Sequence, residues 1–255
     1  MVKKLLVCIF FLFIPINMVL ADDVKVEFEG RYWITNLSGS AKVVDHGIGT
    51  DIDFKSDLGL TNKNFPEGRF TWYTGPNSRL RLAYTQIDYS GDKDIARILE
   101  FNGKTYTLGT RVITDLKVNY LKLGWIWQFI HTADGVFKLG TVLEAKGFWT
   151  DTSLKAPNMI PPIDESKKLV AGLPTVGLAI DINPHEIVNI FGEVSGLPAG
   201  KYGYFFDGEA GVKIIPIKNF SIVGGYRLFD IKADDDPNYA KLRISGPFVG
   251  ATVRF

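Results

Sequence analysis

The sequence predicts an all-β protein, a closed antiparallel up-and-down barrel of about ten strands, with eight as the alternative count. Three observations lead there. Apolar and polar residues alternate with period two through nearly the whole chain of 255 residues, and helical periodicity is almost absent. Short turns and long connections also alternate. No segment after residue 21 is an apolar run long enough to cross a bilayer as a helix, so a chain like this enters a membrane only as a closed barrel.

The first residues read as a secretory signal. Lys3 and Lys4 are basic, and Leu5 to Leu20 is apolar but interrupted by Pro15 and Asn17. Val19-Leu20-Ala21 then offers small residues for cleavage before Asp22-Asp23. Residues 1–21 are therefore expected to be a removed signal peptide and 22–255 a single barrel domain. Cys8, the only cysteine, falls inside the signal, and Val7 is a poor residue to precede a lipid-modified cysteine. The whole chain carries 29 Lys and Arg against 28 Asp and Glu; losing Lys3 and Lys4 leaves 27 against 28. Near-neutrality argues against nucleic acid as a partner.

The strands follow in order. Val24–Tyr32 alternates Val24, Val26, Phe28 and Tyr32 with Lys25, Glu27, Glu29 and Arg31. Strand two lies near Glu67–Thr74 and strand three near Arg79–Tyr89, joined by the tight Gly75-Pro76-Asn77-Ser78. Strands four, Arg111–Phe129, and five, Val136–Trp149, flank the turn His131–Gly135. Strand six, Lys168–Ile182, and seven, Glu186–Gly196, meet through Asn183-Pro184-His185. Strand eight, Tyr202–Ile215, and nine, Phe220–Lys232, meet through Pro216–Asn219, and strand ten runs Lys241–Phe255. Short turns thus follow the even strands and long connections the odd ones, the arrangement of bacterial barrels with periplasmic turns and extracellular loops.

Alternation alone does not say which face is oily. Strand eight puts Tyr204, Phe206, Ala210, Val212 and Ile214 opposite Asp207, Glu209 and Lys213. Strand six puts Val176, Leu178, Ile180 and Ile182 opposite Thr175, Ala179 and Asp181. A soluble barrel binding an apolar ligand would turn the aliphatic set inward; a membrane barrel turns it out. Three features favour the membrane. Aromatic residues gather near strand ends (Tyr32, Trp33, Trp72, Tyr73, Trp125, Trp127, Trp149, Tyr202, Tyr204), as at membrane interfaces. Small residues (Gly30, Gly208, Gly224) sit on apolar faces, as in tilted strands curving round a barrel.

The third feature is the C-terminus. Val249, Ala251, Val253 and the terminal Phe255 alternate in a pattern that resembles the assembly signal of bacterial outer-membrane barrels. The mature chain as a whole resembles the small outer-membrane barrel class, broadly the OmpA-like and OmpW-like porin fold. That resemblance implies outer-membrane localisation, surrounding lipid and lipopolysaccharide, and the barrel-assembly machinery as partners. Pro247 departs from the pattern, and a bulge is expected at Gly246-Pro247.

Catalytic chemistry finds little support. The histidines are His46, beside Asp45 and Asp51 in the first external connection, and His131 and His185 in short turns. There is no Gly-x-Ser-x-Gly elbow, and Ser90, Ser195 and Ser245 lack a histidine partner in the sequence. Asp234-Asp235-Asp236-Pro237-Asn238 lacks the spaced ligands of a calcium loop and reads as a solvated turn, so no metal and no cofactor is expected. Gly49–Leu60 reads as an ordered external loop. Residues 97–108 alternate enough for a hairpin, expected to extend the wall.

The expected lumen carries both signs. It includes Lys25, Glu27, Glu29, Arg31, Glu67, Arg69, Arg81, Lys138, Glu144, Lys146, Asp181, Glu193, Asp207, Glu209, Lys213, Arg227 and Arg254. Eight strands leave room only for side chains and ten slightly more, so these charges should pair and plug the axis. The function expected is a non-enzymatic outer-membrane barrel with a structural or loop-mediated role. A narrow channel for small solutes or ions is the alternative, and a lipid-modifying enzyme is less supported.

Overall fold

The computed structural model describes residues 25–44, 49–101 and 104–255. The signal segment and His46 lie outside these residues. Ten strands form the wall: β1 Lys25–Ile34, prolonged past Thr35 by Asn36–Lys42; β2 Asn64–Gly75; β3 Ser78–Asp94; β4 Arg111–His131; β5 Phe137–Ala156; β6 Ile163–His185; β7 Val188–Pro198; β8 Gly203–Ile217; β9 Phe220–Asp235; and β10 Asn238–Arg254. Each pairs antiparallel with its chain neighbour, and β1 pairs with β10 to close the ring, Glu27 opposite Arg254 and Trp33 opposite Phe248. The count is ten because β2 and β3 belong to the wall, β2 against β1 over ten residue pairs.

The aliphatic face looks outward. Val176, Leu178, Val212 and Ile214 are 40–59% exposed, whereas Glu67, Arg69, Lys146 and Arg227 are at most 5% exposed. On β6 the outward apolar run from Ile180 to Val170 covers eleven residues, ten steps along the strand. At about 3.3 Å per residue and a tilt near 40°, it rises roughly 25 Å, the height of a hydrocarbon band. The band stops abruptly. The outward row Gln86, Asn119, Trp149, Val170 is followed by Asp88, Lys117, Asp151, Lys168, four neighbouring strands with alternating charge. Trp72, Trp125 and Trp127 mark its short-turn end.

Several strands outrun the sequence reading. β5 and β6 pair as far as Ala156 and Ile163, so the connection expected to be long shrinks to residues 157–162. β9 and β10 pair to Asp235 and Asn238, leaving Asp236-Pro237 as the turn, with Asp234 ion-paired to Lys232. Hydrophobic side chains turned into the barrel above the band account for this. There the wall behaves as a soluble barrel, apolar inside and charged outside, a pattern that looks like loop when a single lipid-facing rule is applied.

Three local expectations are corrected. Trp33 is not an interface residue: it points inward, is 2% exposed, and its Nε1 donates to Gly246 O at 3.2 Å. No bulge forms at Gly246-Pro247, because Trp33–Phe248 and Asn36–Ser245 keep one register. The lapse falls on β1, where Thr35 leaves the ladder and its N–H turns to Asn64 Oδ1 at 3.3 Å. Finally, residues 99–101 and 104–106 form their own two-stranded sheet rather than extending the wall.

That hairpin builds a cap with the first connection. Thr50 N–H donates to Glu100 O at 3.0 Å, and Ile52, Leu58, Leu60, Leu99 and Tyr106 are buried together. Gly49–Leu60 is thus an ordered segment packed on the rim. Asp53 Oδ1 accepts from the N–H groups of Lys55 and Ser56, at 2.9 and 2.7 Å, and starts the turn. Arg97 fastens it, with Nε 3.0 Å from Asp57 Oδ1 and Nη2 2.6 Å from Oδ2. These hydrogen bonds from Arg97 hold the Asp57 carboxyl below its usual range, against burial. Because the folded value is lowered, the stabilisation of the cap is present above the ordinary value of 3.8 and is lost as pH falls below it, through the folded value. Hydrogen exchange across residues 50–58, corrected for intrinsic rates, should therefore rise below about pH 4. In Asp57→Asn it should be raised at neutral pH and lose this acid step.

Candidate functional site: a two-storey lumen

The barrel interior divides at a single level. In six strands the inward side chain changes from charged to aromatic two residues nearer the capped end: Arg31 to Trp33, Glu67 to Phe65, Lys122 to Tyr120, Lys146 to Phe148, Asp207 to Phe205, and Arg227 to Phe229. Alternation aims residues i and i+2 the same way, and the pairing brings the six changes together.

The ionic storey is dense. Arg227 bridges two carboxylates, with Nε 3.0 Å from Asp207 Oδ1, Nη2 2.9 Å from Oδ2, and Nη1 on Glu67. Glu209 receives Arg69 through Nη1 at 2.7 Å and Nη2 at 2.5 Å, and Arg31 through Nη1 at 3.1 Å. Arg31 and Arg69 also hold Glu29 and Glu67. Lys146, 1% exposed, sits 2.9 Å from Glu144 and 3.3 Å from Asp207. Glu193 and Glu209 lie directly opposite on β7 and β8. Such like charges repel, and arginines on β1, β2 and β3 separate them. An uncompensated buried charge is heavily penalised, so this arrangement requires the closed barrel.

The aromatic storey seals the axis above it. Tyr120 stacks on Phe148 at 4.7 Å, Phe205 meets Phe229 edge-on at 5.3 Å, and Phe65 meets Tyr89 at 5.1 Å. Cations lie against rings at the seam: Arg31 is 4.2 Å from Phe248, Lys146 4.7 Å from Phe205, and Arg227 4.8 Å from Trp33. Tyr120 belongs to both storeys, its hydroxyl donating to Asp207 at 2.9 Å.

Below the ionic storey the lumen opens into a cavity of about 240 Å³ that reaches the short turns at Pro76-Asn77-Ser78. Glu27 there takes Lys213 at 2.9 Å and Arg254 at 2.8 Å, Arg79 takes Asp181 at 3.1 Å, and Arg81 takes Glu193 at 2.5 Å. Lys138 lines the cavity too. The side chain of Lys25 is outside the described residues.

The structure also brings in residues absent from the sequence reading. Lys122 contacts Asp207 at 3.4 Å, and Gln128 donates to Asp181 at 2.7 Å. Parity identifies both, since they share the inward face with Tyr120 and Ile126. Ser195 acquires a partner that no motif announces: Lys146 Nζ donates to its Oγ at 2.8 Å, and that hydroxyl donates to Glu144 at 2.6 Å. Neither Ser195 nor Lys146 lines the cavity, and a lysine donating its proton is not a base for the serine. His131 and His185 are exposed at the short-turn end. Among the described residues no group of three His, Cys, Asp or Glu is arranged to hold a metal.

Closed, ten-stranded and antiparallel, with an oily outer wall, the architecture is that of the small outer-membrane β-barrels. No protein-family model matches the chain, and no curated protein matches it. Among solved structures it is similar to the outer membrane protease OmpT of Escherichia coli, with 10% identity over 91% of this chain and 97% of that one, TM-score 0.55. Looser similarities are to the translocator domain of autotransporter NalP from Neisseria meningitidis (8% identity, 93% and 91% covered, TM-score 0.46) and to Ail of Yersinia pestis (13%, 91% and 99%, TM-score 0.38). At these identities the likeness is one of fold.

Proposed function

We propose that the chain is a sealed, non-enzymatic barrel of the bacterial outer membrane, acting as a scaffold for the structured cap it presents outside the cell. The observation that carries this reading is the filled axis. Charged side chains cross-link the lumen from wall to wall at the level of Arg227 and Glu209, and rings pack over them. Opening such a path means separating paired charges in a dry interior, at several kcal/mol each. Under this reading the outward band contacts lipid, and lipopolysaccharide surrounds the row from Asp88 to Lys168. The barrel-assembly machinery reads Val249, Ala251, Val253 and Phe255, and the protein reaches the membrane after removal of residues 1–21.

Purified barrel in planar bilayers is expected to give no steady conductance. Reproducible steps would overturn the sealed reading in favour of a narrow channel, the reading that the open cavity at the short-turn end supports. Steps that change in Arg227→Gln or Glu209→Gln would place that channel along the axis.

A further inference from the structure

We propose that the cavity at the short-turn end is a binding site for a small multivalent oxyanion of the phosphate or carboxylate class, admitted from the periplasm. Its wall carries seven Lys and Arg side chains against five Asp and Glu, an excess of two positive charges. The carboxylates are committed. Glu27, Asp181, Glu193 and Glu209 each accept from basic side chains within 3.3 Å, and Glu29 is ion-paired with Arg31. The cations are not all satisfied. Lys138 has no carboxylate within 4.0 Å among the described residues, although Asp181 is its direct cross-strand neighbour on β6. The Nε–H groups of Arg79 and Arg254 are buried and find no acceptor.

Buried donors left without acceptors are costly, and each gains when an acceptor arrives. Arg254 and Lys213 come from β10 and β8, whereas Arg79 and Lys138 come from β3 and β5, so positive groups converge from separate parts of the ring. A ligand with oxygens on more than one side matches that layout. The volume, about 240 Å³, is on the order of eight waters of liquid. It suits a phosphate, a pyrophosphate or a small polycarboxylate and excludes a folded partner. This site is independent of the sealed-barrel reading: conductance would remove that reading and leave the excess positive charge in place.

Isothermal titration calorimetry on the full barrel in neutral-lipid nanodiscs tests the site, with inorganic phosphate, pyrophosphate and citrate as probes. Saturable one-to-one binding of at least one probe is expected, with the tightest probe assigning the class. Lys138→Gln leaves no carboxylate unpaired and should weaken binding about tenfold. Lys168→Gln, on the outer wall at the capped end, should leave it unchanged. Absence of saturable binding with all three probes, an unaltered affinity in Lys138→Gln, or an equal loss in Lys168→Gln would each overturn the proposal.

Discussion

Arg227→Ala is expected to destabilise the barrel by about 3–5 kcal/mol, the largest effect of any single charge change in the lumen. Arg227 is 2% exposed and is the one side chain that ties β9 to both Glu67 on β2 and Asp207 on β8. Its removal leaves Glu67 with Arg69 and the Thr85 hydroxyl, and Asp207 with the Tyr120 hydroxyl and with Lys122 and Lys146 at 3.4 and 3.3 Å, cationic contacts longer than those Asp207 loses. It also strips the face of Trp33 of its cation. Urea unfolding of the barrel in lipid vesicles measures the change. A shift below about 1 kcal/mol, in the range of exposed ion pairs, would show that the network fills the lumen without holding it together. Arg111→Ala, which breaks an exposed pair with Asp92, should leave the midpoint where it is.

Trp33→Ala should cost a similar amount, about 3–5 kcal/mol, for a different reason: a large side chain leaves a packed interior that collapses only partly. The indole is 2% exposed, donates to Gly246 O, and lies where the two storeys meet. Gly246 is tightly held on the other side. A Cβ there would stand 1.9 Å from Ile34 O, and its φ is +158°, so the strand has little freedom to move into the gap. Trp33→Phe keeps most of the volume and loses the hydrogen bond, and should cost nearer 1 kcal/mol. Equal losses in the two variants would point to the hydrogen bond, not the packing, as the larger contribution.

Much of the fold is legible in the chain because a barrel wall is a nearly one-dimensional object. Period-two alternation, the tight turn at Pro76-Asn77 and the even count of runs specify neighbours, direction and facing. The turn expected at Asn183-Pro184-His185 falls instead at Glu186-Ile187, where β6 runs on to His185 with a register shift after Ile182. Parity also identifies inward residues such as Lys122 and Gln128, once the oily face is known to be the outer one. The reading falls short where its single rule ceases to hold. Above Val170 on β6 no hydrocarbon meets the wall, the outward side chains become charged, and the inward ones become Trp33, Tyr89, Phe148 and Phe229. There the strands continue where alternation by itself predicts loop, and Trp33 lies inside the barrel instead of at an interface.

The sequence by itself determined the strands, their order and which side chains share a face, since these depend on residues next to each other along one strand or across one turn. Only the tertiary structure decided which charges meet. Glu209 is 178 residues from Arg31 and 140 from Arg69, and Arg227 is 160 from Glu67. None of these pairs lies on adjacent strands, so no ladder register aligns them. Their heights coincide only when β1 closes on β10 and the stagger of the ring sets every strand relative to the axis. The same closure places the level where charge gives way to aromatic rings, and leaves the cavity below it with more positive groups than carboxylates to pair them.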